Sequence, residues 1–207
     1  MSDRSDVADV ADVADLAGSA HDDGRAGPAL AMIELSSIAR GYPVADAMVK
    51  RAPVVLADCR PVSPGKFLVL VTGEVAAVDE AFRVGLEVGG DRIVDRLFLP
   101  QAHPLIGPAV RGVIPPAGVE SLAAIETTTV AASIVAADAA VKAAAVRIVE
   151  MQLARGIGGK AFFTLSGSLA EIEAAVEAAT GVIDRALVVA TEIIPAPHDD
   201  LIAKLPA

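Results

Sequence analysis

The sequence predicts a mixed α/β chain in which one domain, built on an antiparallel sheet, is written twice in tandem. Three observations lead to this prediction: stretches of sequence recur at a nearly constant spacing, each copy shows strand and helix patterns in the same order, and a proline-rich segment separates the copies. The chain has 207 residues, enough for two domains of about 90 residues each. A period this long indicates duplicated whole domains rather than a solenoid.

The repeat is carried by short stretches that match between the two halves. The matching pairs are Ala31-Met32-Ile33-Glu34 with Ala123-Ala124-Ile125-Glu126, Ala45–Lys50 with Ala137–Lys142, Gly65-Lys66-Phe67 with Gly159-Lys160-Ala161, Thr72-Gly73 with Ser166-Gly167, and Asp95-Arg96 with Asp184-Arg185. The spacing is 92 residues for the first two pairs, 94 for the next two and 89 for the last. These spacings predict a second copy that is two residues longer up to its middle and five residues shorter after it.

Each copy has the same predicted order of elements, β-α-β-β-α-β. Apolar runs predict strands, and apolar residues spaced three and four apart predict helices. In the first copy the predicted strands cover residues 30–35, 54–60, 66–72 and 92–99, and the helices 44–51 and 75–88. In the second copy the strands cover 122–127, 146–153, 160–165 and 186–194, and the helices 129–144 and 169–179. This order is typical of ferredoxin-like domains with antiparallel sheets.

The domain boundaries follow from composition. The first domain is predicted at residues 29–104 and the second at 119–207, joined by a proline-rich linker at 105–118. Residues 1–28 form an acidic segment in which Val and Asp recur every three residues, a period that gives no stable apolar stripe on a helix. We expect a disordered tail there, and the alternative is a short helix that docks on a partner.

Composition excludes several classes of partner. The net charge is −10 and the isoelectric point about 4.7, which argues against nucleic acid and against an anionic membrane surface. No uncharged apolar stretch is long enough to span a bilayer. Hydrophobic residues make up 54% of the chain, which favours burial of surface in an oligomer. The single Cys59 cannot form an intrachain disulfide, and together with the absence of a secretory signal pattern this favours a cytoplasmic location.

No set of residues in the sequence makes a convincing catalytic or metal site. His103 and His198 recur after the last strand of each copy, without a Cys or second His at ligand spacing. Glu34 and Glu126 recur on the first strands, where carboxylates more often satisfy structural groups. The loop from Arg155 to Lys160 is rich in glycine but lacks the spacing of a phosphate-binding loop. We therefore expect no enzymatic activity, no cofactor and no bound metal.

The motifs together resemble the shell proteins of bacterial microcompartments, in the tandem-domain class that forms trimers. The matching stretches are LAMIELSSIARG, VADAMVKRAPV, PVSPGKFLVLVTGEVAAVDEA and LFLPQAHP in the first copy, and LAAIETTTVAASIVAADAAVKAAAV, RGIGGKAFFTLSGSLAEIEAA and ATEIIPAPH in the second. The strand order is the unpermuted one. The resemblance covers nearly everything but the tail.

The resemblance implies that three chains form a pseudohexamer of six similar domains. Such a tile would pack, with hexameric and pentameric tiles of other shell proteins, into the shell of a cytoplasmic bacterial microcompartment, and small metabolites would pass through its central pore. The implied pore-lining residues are Val62, Ser63, Pro64, Gly65, Gly156, Ile157 and Gly158. The implied tile-edge contacts are Lys50, Lys142, His103 and His198.

Two departures from the family pattern stand out. The family usually carries Arg between the Pro and the Pro-His of its closing motif, where this chain has Gln101 and Ala196. The pore loops contain no cysteine, so the iron–sulfur cluster of some relatives is not expected. A second reading of the same residues is a trimeric regulatory protein that binds a small molecule on a ferredoxin-like fold.

Overall fold

The computed structural model describes residues 27–114 and 118–206. In the first copy the strands are β1 (Ala29–Leu35), β2 (Val55–Val62), β3 (Lys66–Gly73) and β4 (Ile93–Leu99), and the helices are α1 (Ile38–Arg51) and α2 (Val75–Gly89). A short helix, α3 (Ile106–Val110), follows. In the second copy the strands are β5 (Ser121–Thr127), β6 (Arg147–Leu153), β7 (Ala161–Gly167) and β8 (Val188–Ile194), and the helices are α4 (Val130–Ala143), α5 (Leu169–Gly181) and α6 (Asp199–Ile202).

Each copy forms one four-stranded sheet, with order β2-β3-β1-β4 in the first copy and β6-β7-β5-β8 in the second. All six strand pairings are antiparallel. The predicted ferredoxin-like duplication is thus confirmed. The acidic tail expected at residues 1–28 falls almost wholly outside the described residues, as do Pro115 and Pro116 of the expected linker.

Strand register corrects one detail of the repeat alignment. Glu34 pairs with Asp95 across β1 and β4, and the matching Glu126 pairs with Ala190 across β5 and β8. Asp95 therefore corresponds to Ala190 and not to Asp184. The spacing between the copies is 95 residues at this last strand, so the second copy does not become shorter. The Asp-Arg similarity is misleading, because a pair of common residue types recurs by chance, whereas the pairing of β4 and β8 with the buried strands β1 and β5 fixes their register.

Helix α1 begins six residues earlier than predicted. Ser37 caps it by accepting a hydrogen bond from the Arg40 amide at 3.3 Å, an arrangement that satisfies a backbone donor at the helix start. Pro43 lies inside the helix and explains the late predicted start, since proline normally marks a helix boundary. The first turn that was missed carries part of an apolar face described below.

The predicted linker contains a helix that sequence patterns did not reveal. Ile106, Ala109 and Val110 of α3 are buried and join an apolar cluster that extends across both copies. Met32 and Leu70, on the face of the first sheet away from α1 and α2, belong to the same cluster. The two copies therefore share a continuous core rather than hanging on a flexible connection.

The two copies fill the same space under the first helix with different residues. In the first copy Gly41 of α1 lies against the ring of Phe67, so closely that a Cβ would overlap it. In the second copy the corresponding residues are Ser133 and Ala161, both buried. In this volume exchange the helix residue is larger, and the strand residue smaller, in the second copy than in the first.

Gly41→Ala should lower the free energy of unfolding by about 1–3 kcal/mol, the usual cost of overpacking, even though alanine favours helix by roughly 1 kcal/mol. In a Phe67→Ala background the same change should no longer destabilise, because the ring that it strikes is gone. Urea unfolding of the four chains in this double-mutant cycle measures the coupling. Equal effects of Gly41→Ala in both backgrounds would contradict the volume exchange.

Candidate assembly surfaces and pore loops

The junction between the copies has an apolar centre built by α3. This helix packs between β2 of the first copy and β6 and α4 of the second. The residues it helps to cover on the second copy include Val141, Ile148, Met151 and Leu153, all less than one-tenth exposed. Burial of this apolar surface is the main favourable term in holding the copies together.

A polar clamp stands beside the apolar centre. Asp138 of α4 accepts a hydrogen bond from the His103 amide at 2.7 Å. Lys142, one helical turn later, donates to the Gln101 carbonyl at 2.6 Å and to the Asp138 carboxylate at 2.5 Å. The two side chains thus bind the backbone that leaves β4. They do not contact the side chain of Gln101. The presence of Gln101 where the family usually has Arg therefore leaves this contact intact.

Two further hydrogen bonds cross the junction near the hairpin ends. The Arg60 guanidinium, paired with Asp58 at 2.7 Å, donates to the Leu153 carbonyl at 2.9 Å. The Ser63 amide donates to the Ala154 carbonyl at 3.1 Å. These bonds bring the β2–β3 hairpin of the first copy against the β6–β7 hairpin of the second.

The seven predicted pore residues lie on these two neighbouring hairpins. Pro64, Gly65, Gly156 and Gly158 are exposed, and Ser63 and Ile157 are half-buried. Val62 is the exception, since its side chain is buried in the shared core and cannot line an opening. The structure thus brings together the two loops that sequence reasoning grouped, and narrows the candidates to six.

Glycine is required where the two loops approach most closely. Gly159 has a φ of +88°, and a Cβ there would lie 3.1 Å from Pro64 Cδ and 3.2 Å from the Ser63 carbonyl oxygen. A side chain at this position would combine backbone strain with crowding. The glycine-rich loop of the second copy therefore serves close backbone contact rather than phosphate binding.

The repeat-related face of the first copy is uncovered. Positions with the same residue in both copies give the clearest comparison: Val49 is 39% exposed where Val141 is 6%, and the Asp46 side chain is 58% exposed where that of Asp138 is 9%. Other exposed apolar residues on this face are Ile38, Tyr42 and Leu56, whose counterparts Val130, Ile134 and Ile148 are buried. For Val49 and Asp46 residue type cannot explain the difference, because the same residues recur as Val141 and Asp138.

The segment that follows β8 in the second copy is uncovered in the same way. Leu201 of α6 is 41% exposed, whereas its counterpart Ile106 of α3 is fully buried. The two histidines fold the chain alike at these places: His103 Nδ1 accepts from the Leu105 amide at 3.3 Å, and His198 Nδ1 accepts from the Asp200 amide at 3.1 Å. His198 is thus the N-cap of α6, whereas His103 makes the same bond in the turn just before α3.

The other candidate residues have structural partners. Lys160 donates to Glu126 at 2.8 Å, and Cys59 lies half-buried on β2, where burial raises the pKa of its thiol. Across residues 27–114 and 118–206, no three His, Cys, Asp or Glu side chains converge in a way that could hold a metal ion. Within the same ranges, no helix is long and apolar enough to cross a membrane.

Glu34 is a buried carboxyl group that pairs with Lys66, next to the Ser63–Gly65 loop. Its side chain is 1% exposed, and the Lys66 ammonium lies 3.3 Å from one carboxylate oxygen. Burial raises the pKa of Glu34, and the neighbouring Lys66 only partly offsets this rise. Asp95, the cross-strand neighbour, adds a smaller upward contribution to the pKa.

Fold and junction together define a protein made of two similar repeats, in which a face that is covered on the second copy is exposed on the first. The BMC domain family matches twice, at residues 29–102 and 121–197. The chain therefore belongs to the BMC-domain shell proteins of bacterial microcompartments. This confirms the resemblance drawn from the sequence motifs.

Individual relatives support the assignment and the duplication. The chain is 38% identical over 174 residues to the bacterial microcompartment shell protein PduT of Citrobacter freundii, covering 84% of this chain and 95% of that protein. A crystal structure of a microcompartment protein from Desulfitobacterium hafniense DCB matches with a TM-score of 0.81 at 40% identity, over 84% and 97% of the two chains. The carboxysome shell protein CsoS1A of Hydrogenovibrio crunogenus is 36% identical over 87 residues, which is 91% of that protein but 41% of this chain.

Asp138→Ala should lower the free energy of unfolding by about 1.5–3 kcal/mol, because it removes a charged acceptor from the His103 amide and from Lys142. Urea denaturation at a fixed chain concentration measures the change. Asp79→Ala is the matched control, since Asp79 makes the same i,i+4 ion pair with Arg83 on the open surface of α2, at 2.8 Å. The control should cost about 0.5 kcal/mol or less, and similar losses in both variants would contradict the clamp.

Glu34→Gln should raise stability relative to the parent chain as pH rises from about 4 to about 8. Because the folded pKa of Glu34 is raised, the protonated carboxyl stabilises the fold fully below the unfolded pKa. That contribution is lost as pH rises through the folded pKa. Thermal unfolding across this range measures the effect. Lys66→Met should increase the stability that the chain loses as pH rises, because Lys66 lowers the pKa of Glu34. A constant difference between Glu34→Gln and the parent at every pH would contradict it.

Proposed function

We propose that three chains close into a ring of six similar domains that serves as a tile of a microcompartment shell. The observation that carries this proposal is the uncovered face of the first copy, whose repeat-related face on the second copy is covered within the chain. A second chain that presents its own second copy would cover that face with the same contact. Contacts of this head-to-tail kind join unlike surfaces and close only if the rotation between neighbours allows it.

Membership of the shell protein family supports closure at three chains, as the resemblance implies. With two domains per chain, three chains supply six domains, and the junction inside each chain would alternate with an equivalent junction between chains. Exposed apolar residues on the free face favour burial in such a contact rather than exposure to water. The tile would then pack beside hexameric and pentameric tiles of other shell proteins.

The pore of this tile would be lined by the two hairpin loops. The Ser63 amide bonded to the Ala154 carbonyl and the close approach of Gly159 to Pro64 support a shared lining by both loops of each chain. Around a threefold axis, Ser63–Gly65 would alternate with Gly156–Gly158. Such a lining presents the Ser63 hydroxyl and the backbone groups of three glycines beside the apolar Pro64 and Ile157, and we expect small metabolites to pass through it.

Edge contacts between tiles remain proposed for Lys50, Lys142, His103 and His198. Lys142 supports this in part: its side chain stays 45% exposed while it holds the Gln101 carbonyl. The lysine can therefore serve the junction and still face a neighbouring tile. His198 is largely exposed and is free to do the same.

Val49→Glu should dissociate the trimer, because it puts a charge into the proposed apolar contact while leaving the fold of each chain intact. Light scattering coupled to size exclusion should give a trimer for the parent and a monomer for the variant, with equal circular dichroism. Negative-stain images of the parent should show six-lobed particles.

Val75→Glu is the matched control for this experiment. Val75 is 36% exposed and its counterpart Leu169 is 38% exposed, so this position lies outside the repeated junction in both copies. The control should stay trimeric. A parent chain that is monomeric at every concentration, or a Val75→Glu variant that dissociates equally, would overturn the proposed assembly.

A further inference from the structure

We infer that Asp46 and Lys50 form a clamp between chains that binds the backbone of a neighbouring chain at Ala196 and His198. The inference rests on the proposed trimer and goes beyond it, since it names the polar contact that fixes the register of one chain on the next. The partner is a second copy of this chain, engaged through the segment that leaves β8.

The clamp inside one chain supplies the geometry. There Asp138 accepts from the His103 amide at 2.7 Å while Lys142 donates to the Gln101 carbonyl at 2.6 Å. Only backbone atoms are bound at residues 101 and 103. The same clamp can therefore hold any pair of residues whose backbone has this conformation.

Asp46 and Lys50 are the repeat mates of Asp138 and Lys142, 92 residues earlier, and they are identical in type. They are already paired with each other at 2.7 Å, as the second pair is. In the part of the chain that the structure describes, neither side chain has a further hydrogen-bond or ion-pair partner. The side chains of Asp46 and Lys50 are 58% and 73% exposed. The first copy thus carries an assembled clamp without its backbone ligand.

Ala196 and His198 are the repeat mates of Gln101 and His103, 95 residues later, in step with the register of β4 and β8. The backbone at His198 has the required shape, because its Nδ1 caps the following turn as that of His103 does. The replacement of Gln101 by Ala196 is immaterial, because the clamp reads the carbonyl. The backbone of residues 196–198 thus matches the bound segment 101–103, and no clamp binds it in the part of the chain that the structure describes.

The apolar surfaces flanking the two halves also correspond. Ile106 follows the bound backbone within the chain and is buried in the cluster that contains Val141 and Ile148. Its mate Leu201 follows the free backbone, and the mates of that cluster, Val49 and Leu56, are exposed on the first copy. Seating the 196–198 backbone in the Asp46–Lys50 clamp would carry Leu201 onto Val49 and Leu56, so one movement would satisfy the polar and the apolar halves together.

Cross-linking tests the contact directly. Two differently tagged chains are coexpressed, one with Lys50→Cys and the other with Ala196→Cys, both in a Cys59→Ser background, and treated with a short bifunctional thiol reagent. A covalent pair carrying both tags is expected. At a dilution where trimers do not pack against one another, each variant expressed alone should give no cross-linked pair, because a head-to-tail contact within the trimer places residue 50 of one chain beside residue 196 of the next.

The strength of the contact is measured with Asp46→Ala. The dissociation constant should rise about tenfold to a hundredfold for each of the three contacts in the trimer, since each loses a charged acceptor from a desolvated amide. Asp79→Ala, which removes the equivalent partner from the exposed Asp79–Arg83 pair on α2, should leave the constant unchanged.

The outcomes separate the two proposals. A trimer that gives no mixed-tag pair, or that responds to Asp46→Ala no more than to Asp79→Ala, would overturn the clamp and leave the trimer standing. A parent chain that never associates would overturn the proposed function, and the clamp with it.

Discussion

The junction between the two copies is the interaction on which the rest of the structure depends. Helix α3 buries Ile106 and Val110 across both sheets, and Asp138 with Lys142 fixes the backbone beside it. Apolar burial supplies the strength of such a contact, while charged hydrogen bonds specify its orientation. Because the orientation is fixed, the two hairpin loops are held side by side, and the repeat-related surfaces around Val49 and Leu201 stay exposed.

A contact between unlike surfaces always leaves one half of each kind unsatisfied in a finite row. In this chain the free halves are the face around Val49 and the segment around Leu201, both far more exposed than their mates. The duplication therefore does more than double the mass of a domain. In the proposed ring it would make one of every two junctions covalent, and the junction between chains could then change in strength without disturbing the one within the chain.

Much of the fold could be predicted because buried strands and repeated motifs leave strong patterns. The failures have physical causes. Helix α3 is only five residues long, too short to show a helical period, and its burial depends on a second domain that no local pattern reveals. Val62 was grouped with the pore loop by position, although its side chain turns into the core. The sequence shows one half of the clamp, because the Asp and Lys pair recurs in both copies. The other half is backbone, which has no sequence signature.

The exchanged volumes at Gly41 with Phe67 and at Ser133 with Ala161 bear on how the chain reaches its fold. Two tandem domains with the same topology invite strand exchange, because a strand of one copy offers the other the same hydrogen-bond ladder. A strand carrying Phe67 would collide with Ser133 beneath α4, and one carrying Ala161 would leave a hollow beside Gly41. The mismatch therefore disfavours pairing of either strand beneath the helix of the other copy.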